Sequence, residues 1–178
     1  MDDIHLIERI ISGDTHSFSE IVDKYKDRVF GMACRFTGEY SQAQDVAQEI
    51  FIRVFENLDK YNGKSKLSTW IYRISYNICI DWSRKNKRLK AIGQKGINTL
   101  RIDRSMDVEG SFLEKEERTA LKEALYSLKE KYRSVLILHY FQDMSYEEMG
   151  EVMNLTVKTV ETRLYRARKM LRCKLGSL

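Results

Sequence analysis

Proline is absent from all 178 residues of this chain. With the sharpest helix breaker missing, and strand-like alternation of apolar and polar residues hard to find, the sequence reads as all-α. Cysteine is scarce: Cys34, Cys79 and Cys173 stand apart, with neither C-x-x-C spacing nor a nearby histidine, so zinc and thioredoxin-like chemistry find no ligands. An odd number of thiols without a secretion signal fits a reducing cytoplasm. His5, His16 and His139 are scattered, and none lies in H-E-x-x-H or beside a serine or cysteine as in a triad. No apolar run could span a bilayer, the start Met1-Asp2-Asp3 is acidic, and no lipidation motif is found. The expectation is a cytoplasmic protein without membrane insertion. Gly63-Lys64-Ser65 imitates the end of a phosphate-binding loop, but Leu58 stands where its first glycine belongs. Asp45 and Glu49, one helical turn apart, lack a third metal ligand and suit an interaction surface better. The chain is therefore expected not to be an enzyme and to hold no metal or cofactor.

Charge and aromatic residues are plentiful. Ten Tyr, seven Phe and two Trp among 43% hydrophobic residues provide enough material for a core, while the 32% charged residues suit a soluble protein. The net charge of +5 is concentrated locally. One cluster comprises Arg84, Lys85, Lys87, Arg88, Lys90 and Lys95, and a second occupies the C-terminal helix. Two separated basic patches fit one polyanion touched at two places or a bipartite set of partners.

The most informative stretch runs from Met144 to Arg172. Ser145-x-x-Glu148 is a capping box, so a helix starts near Tyr146. Met149, Val152 and Met153 form its inner face, and Asn154-Leu155-Thr156 makes a turn with an N-cap for a helix beginning near Val157. Val160, Leu164, Ala167 and Leu171 give that second helix one apolar stripe. Lys158, Thr162, Arg163, Tyr165, Arg166, Arg168, Lys169 and Arg172 occupy its exposed sides. Such a helix fits the DNA major groove, with its N-terminal half near base edges and its cations near phosphates.

Upstream, Ile4 to Ile11 forms a short helix closed by Ser12-Gly13. Ser17-x-x-Glu20 is expected to open a helix running to Thr37-Gly38, and Ser41-x-x-Gln44 a third. The third buries Ala43, Val46, Ala47, Ile50, Phe51, Val54 and Leu58 and shows Asp45, Gln48, Glu49, Arg53 and Glu56. After a loop from Asp59 to Leu67, Ser68 or Thr69 caps a fourth helix that ends in cations. Tyr61, Trp70, Tyr72, Tyr76 and Asn77 with Arg84-Lys85 combine flat faces, amide hydrogen bonding and positive charge, the ingredients for holding an unstacked base. Trp70 is expected in the core, and for the tyrosines core and surface both stay open.

Periodicity fails across 89–110, which reads as a flexible linker between a helical domain at 1–88 and a second at 111–178. Ser111-x-x-Glu114 then starts a helix bearing Leu113, Ala120, Leu121, Ala124, Leu125 and Leu128. Another follows through Tyr132, Val135, Leu136, His139 and Tyr140. These two buttress the helix-turn-helix, giving a winged-helix-like domain of four helices.

Nearly the whole chain resembles the extracytoplasmic-function (ECF) sigma factors, small two-domain specificity subunits of bacterial RNA polymerase. The likeness rests on Gly13-Asp14 with Phe18, AQDVAQEIFIRVF from Ala43 to Phe55, LSTWIYRISYNICIDWSRK from Leu67 to Lys85, and the Met144–Leu171 stretch. It implies that Asp45, Gln48, Glu49, Phe51 and Arg53 dock on the polymerase core, Phe51 as an exposed aromatic anchor. It implies that Tyr61, Asn62, Lys64, Ser65, Tyr72, Arg73, Tyr76, Asn77, Arg84 and Lys85 read and open the −10 element. It also implies that Lys158, Thr159, Glu161, Thr162, Arg163, Tyr165, Arg166, Arg168 and Lys169 read the −35 duplex. An anti-sigma factor is a further expected partner. Lys158 stands where family members often carry glycine, and Glu161 where they often carry a base. Glu161 could accept from cytosine or pair with a neighbouring arginine. A helix-turn-helix regulator working without polymerase is the alternative, but it leaves Asp45 to Lys85 unused and normally requires a dimer on paired half-sites.

Overall fold

A computed structural model describes residues 3–93 and 112–176, and every regular element among them is helical. Two compact units result, each with its own core.

The first contains α1 (Asp3–Ile11), α2 (Phe18–Thr37), α3 (Tyr40–Glu56) and α4 (Leu67–Gly93), with 3₁₀ turns at Thr15–Ser17 and Leu58–Lys60. Ile21, Val29 and Met32 of α2, Val46 and Ile50 of α3, and Leu67 and Ile71 of α4 are fully buried where the three long helices meet. α1 contributes Leu6, Ile7 and Ile10 and packs against the 3₁₀ turn at Leu58–Lys60. α2 starts directly behind Ser17, as its motif implies, while α3 and α4 start ahead of their serines. The Ser17 hydroxyl makes no capping bond: it donates to Asp14 Oδ2 at 2.6 Å and accepts from Arg9 at 2.6 Å. A polar triad linking α1 to the start of α2 thus outcompetes the local cap, and the Ser17 hydroxyl, then Arg9, hold the Asp14 carboxyl below its ordinary range. α3 begins one residue before Ser41, behind Glu39. α4 begins before Ser68 and Thr69, with the Trp70 amide already donating to the Lys66 carbonyl at 3.1 Å.

The second unit contains α5 (Phe112–Ser127), α6 (Glu130–Phe141), α7 (Tyr146–Met153) and α8 (Val157–Leu175). No strand that could form a wing occurs among its described residues. α6 is buried without a break from Tyr132 to Leu138, as expected of a central helix rather than a surface one. Leu121 and Tyr140, read as part of the apolar faces, are exposed instead. Of the stretch read as linker, 89–93 are the last residues of α4, because Leu89, Lys90, Ala91 and Ile92 are acceptable helix formers and the first poor one is Gly93. Residues 94–110, and the cap expected at Ser111, lie outside the described residues.

Cys34 and Cys79 are buried in the first unit, where burial pushes the Cys79 thiol far up, while Cys173 is exposed. A disulfide reagent is expected to titrate Cys173 alone in the native protein and all three thiols only in denaturant, since the thiolate is the reactive form. Rapid native reaction at a second thiol would contradict this packing.

Candidate nucleic-acid interface

Helical spacing builds an open groove of about 590 Å³ between α3 and α4. Trp70, Ile74, Ile78 and Trp82, each four residues from the last, lay an apolar floor along α4. Beside it, Arg73, Asn77, Asp81 and Lys85 repeat at the same interval and form one rim. Glu49, Arg53, Asn57 and Lys60, descending α3 into the 3₁₀ turn, form the other. Two indoles, two amides and four cations therefore line one channel, a combination that can stack flat rings, bond base edges and neutralise phosphates.

At the mouth of α4 the loop is internally tied. Tyr61 donates its hydroxyl to the Ser65 carbonyl at 2.7 Å and packs edge-on against Trp70, with ring centroids 5.5 Å apart. Asn62 Oδ1 accepts from the Lys64 amide at 3.1 Å, closing a turn over Gly63, whose φ of +71° only glycine adopts without strain. Lys64 is left exposed and Ser65 half-buried.

The expected −10 residues thus separate. Arg73, Asn77 and Lys85 share the groove, Arg84 is exposed one residue away, and Asn62 and Lys64 lie at the loop tip. Tyr72 does not belong with them: it is 3% exposed and packs edge-on against Tyr25, because its position falls on the inner face of α4. Tyr76 is half-buried against Phe36. Trp70, expected in the core, is half-buried on the groove floor.

On α3, Asp45, Gln48, Glu49 and Arg53 are exposed, with Glu49 and Arg53 facing the groove. Phe51 is half-buried and is not the exposed anchor. Ile52 and Phe55, 52% and 42% exposed, take that place, and Phe55 is steadied edge-on by Phe18 at 5.0 Å. The sequence carries a signal for them, since both fall off the buried stripe of Ala43, Val46, Ile50 and Val54.

In the second unit the capping box is formed, with the Glu148 amide donating to Ser145 Oγ at 3.2 Å and the Ser145 amide to Glu148 Oε2 at 3.0 Å. Asn154 takes the left-handed conformation, the Leu155 amide donates to the Gly150 carbonyl at 2.8 Å, and Thr156 caps α8 through the Thr159 amide. The turn between α7 and α8 is thereby fixed at three residues. Directly opposite the buried seam of Val160, Leu164 and Ala167 stand Lys158, Thr162, Tyr165 and Lys169, with Tyr165 70% exposed. Glu161 is exposed beside this row and Thr159 and Arg163 are half-buried. Arg166 and Arg168 lie on the two flanks, each in contact with α6: Arg166 with the Tyr132 hydroxyl, Arg168 with His139 Nε2 at 3.1 Å. Sequence reading missed both attachments, and it also missed Trp82, Lys60 and the buried Gly150.

No helix among the described residues is long and apolar enough to cross a membrane, and no cluster of metal-binding side chains occurs among them.

Comparison with known proteins accounts for both units. Residues 21–89 match Sigma-70 region 2 and residues 118–171 match Sigma-70, region 4. The ECF RNA polymerase sigma factor SigW of Bacillus subtilis is 35% identical over 97% of this chain and 96% of its own length. The RNA polymerase sigma-H factor of Pseudomonas aeruginosa is 33% identical over 94% and 90%. Among solved structures, CnrH in complex with the cytosolic domain of CnrY matches with a TM-score of 0.70 at 24% identity over 97% of this chain and 96% of that one. RpoE of Bartonella quintana, in complex with the anti-sigma factor NepR, matches with the same TM-score at 21% identity over 89% and 96%. These two support the fold. With both sigma regions matched in order and full-length relatives above 30% identity, the chain belongs to the ECF sigma factors of bacterial RNA polymerase.

Proposed function

We propose that three surfaces divide the work of this RNA polymerase sigma factor. The outer face of α3, with Asp45, Gln48, Ile52 and Phe55, docks on the polymerase core: two exposed apolar side chains amid polar ones make an anchor with a polar surround. The α3–α4 groove with the Asn62–Lys64 tip receives the unpaired −10 strand, and α8 reads the −35 duplex. The observation that carries the reading is the groove itself, because a stacking floor between two polar, cationic rims suits single-stranded nucleic acid and has no use in a regulator that binds duplex alone. Strand opening on this scheme consumes no ATP. Unstacking costs a few kcal/mol, while stacking contacts return roughly 1–3 kcal/mol per base. The protein acts in the cytoplasm as a non-enzymatic subunit. The complex that RpoE forms with the anti-sigma factor NepR supports an anti-sigma factor as a further partner.

Ile52→Asp tests the docking face. Burying a new carboxylate at a hydrophobic anchor is expected to weaken core-polymerase binding by about tenfold or more. Because Ile52 is exposed, the thermal unfolding of the free protein should not move. Wild-type affinity for core polymerase would remove docking from this face of α3.

A further inference from the structure

α6 touches the basic helix α8 from beneath at two places beyond their shared apolar seam. Near its start, Tyr132 is buried and its hydroxyl faces Arg166. That guanidinium, with Lys131 alongside 5.1 Å from the ring centre, holds the phenol below its ordinary range. Seven residues on, His139 Nε2 meets the Arg168 guanidinium at 3.1 Å, which also lies over the Tyr140 ring at 5.5 Å. Arginine has only donors, so Nε2 must be the acceptor and the ring proton sits on Nδ1, which is buried without a described partner. The ring is wedged between Tyr140 and Tyr146, with centroids 4.8 and 5.6 Å away. Arg166 and Arg168, two positions apart, leave α8 on opposite flanks. Each turns part of its planar fork toward α6 and keeps the rest for an outside acceptor.

We infer that Tyr132 and His139 are positioning residues for promoter recognition: from opposite flanks of α8 they hold Arg166 and Arg168 in fixed rotamers, ready for the −35 duplex. An arginine ordered before binding gives up less freedom on contact, so part of the affinity resides in residues that never touch DNA. The inference rests on α8 being the duplex reader.

The test uses holoenzyme reconstituted with bacterial core polymerase and a promoter selected from a random library by the wild type. Tyr132→Phe removes a single oxygen and is expected to weaken promoter binding about three- to tenfold. It should cost nothing further once Arg166→Ala is present, and the thermal unfolding of the chain should stay unchanged. His139→Gln, whose amide oxygen can still accept, should remain near wild type, while His139→Leu should fall as Arg168→Ala does. Equal losses from Tyr132→Phe with and without Arg166, or equal behaviour of the glutamine and leucine variants, would overturn the inference and leave α8 as the reader. If Arg166→Ala and Arg168→Ala themselves cost no affinity, the duplex-reading assignment falls, and the inference with it.

Discussion

The double charge reversal Arg73→Glu and Lys85→Glu is expected to lower promoter opening on the order of a hundredfold while leaving capture of the −35 duplex intact. Arg73 and Lys85 occupy the same rim of the groove, three helical turns apart, with Asn77 and Asp81 between them. A strand lying on the Trp70–Trp82 floor must carry its phosphates past this rim. Two lost contacts with a single strand should flatten the salt dependence of binding by about 1.4 in log–log slope. Reversal rather than deletion adds repulsion to that loss, and the acid already at Asp81 makes the reversed rim uniformly negative. Both side chains are exposed, so the effect cannot be charged to folding. Permanganate reactivity of the −10 thymines in the holoenzyme–promoter complex is the direct readout. If the thymines stay as reactive as with wild-type protein, the melted strand does not run along this rim.

Apart from α6, which is buried all round, the helices were readable from apolar periodicity because they pack one stripe inward, and the helix-turn-helix was readable to the residue because its capping signals are local: Ser145 with Glu148, and Thr156 with Thr159. The same serine motif gave the start of α2 at Ser17 but not the hydrogen bonds of that serine, and at Ser41 it misled. There the competing partners, Arg9 and Asp14 in one case and the approach from Gly38 and Glu39 in the other, come from outside the four-residue pattern. The groove was half legible. Arg73, Asn77 and Lys85 stood out in sequence, but Tyr72 is core and Trp70 lines the floor, because whether a bulky aromatic lies inside or at the edge of a helix interface depends on how the neighbouring helix crosses. Phe51 gave way to Ile52 and Phe55 for a related reason: on a helix with a broad apolar face, type alone cannot tell the last buried position from the first exposed one. The attachments of Arg166 and Arg168 join residues 29 or more positions apart and leave no trace in local spacing.

Gly150→Ala should act through the same turn, and its expected sign runs against propensity. In an open helix, replacing glycine by alanine stabilises by about 1 kcal/mol. At Gly150 the added methyl would lie 2.8 Å from the Leu155 carbonyl oxygen, a backbone atom with no rotamer to adopt, whose own amide is bonded back to the Gly150 carbonyl at 2.8 Å. Relief requires the three-residue turn to open, which breaks that hydrogen bond, disturbs left-handed Asn154 and rotates α8 away from α7. Overpacking of this kind costs about 1–3 kcal/mol, so the second unit should lose stability despite the better helix former. Its unfolding should fall by several degrees, about 4–8 °C per kcal/mol for a unit of this size, while the first unit unfolds where it did. Recognition of the −35 duplex should suffer more than stability, since Lys158, Thr162 and Tyr165 move with the start of α8. Gly150→Val, with two further methyls against the same carbonyl, should deepen both losses in step. An alanine variant that melts at or above the wild-type temperature and binds its promoter unchanged would show that the turn yields freely, and that the close approach of Gly150 to Leu155 does not set the angle of the reading helix.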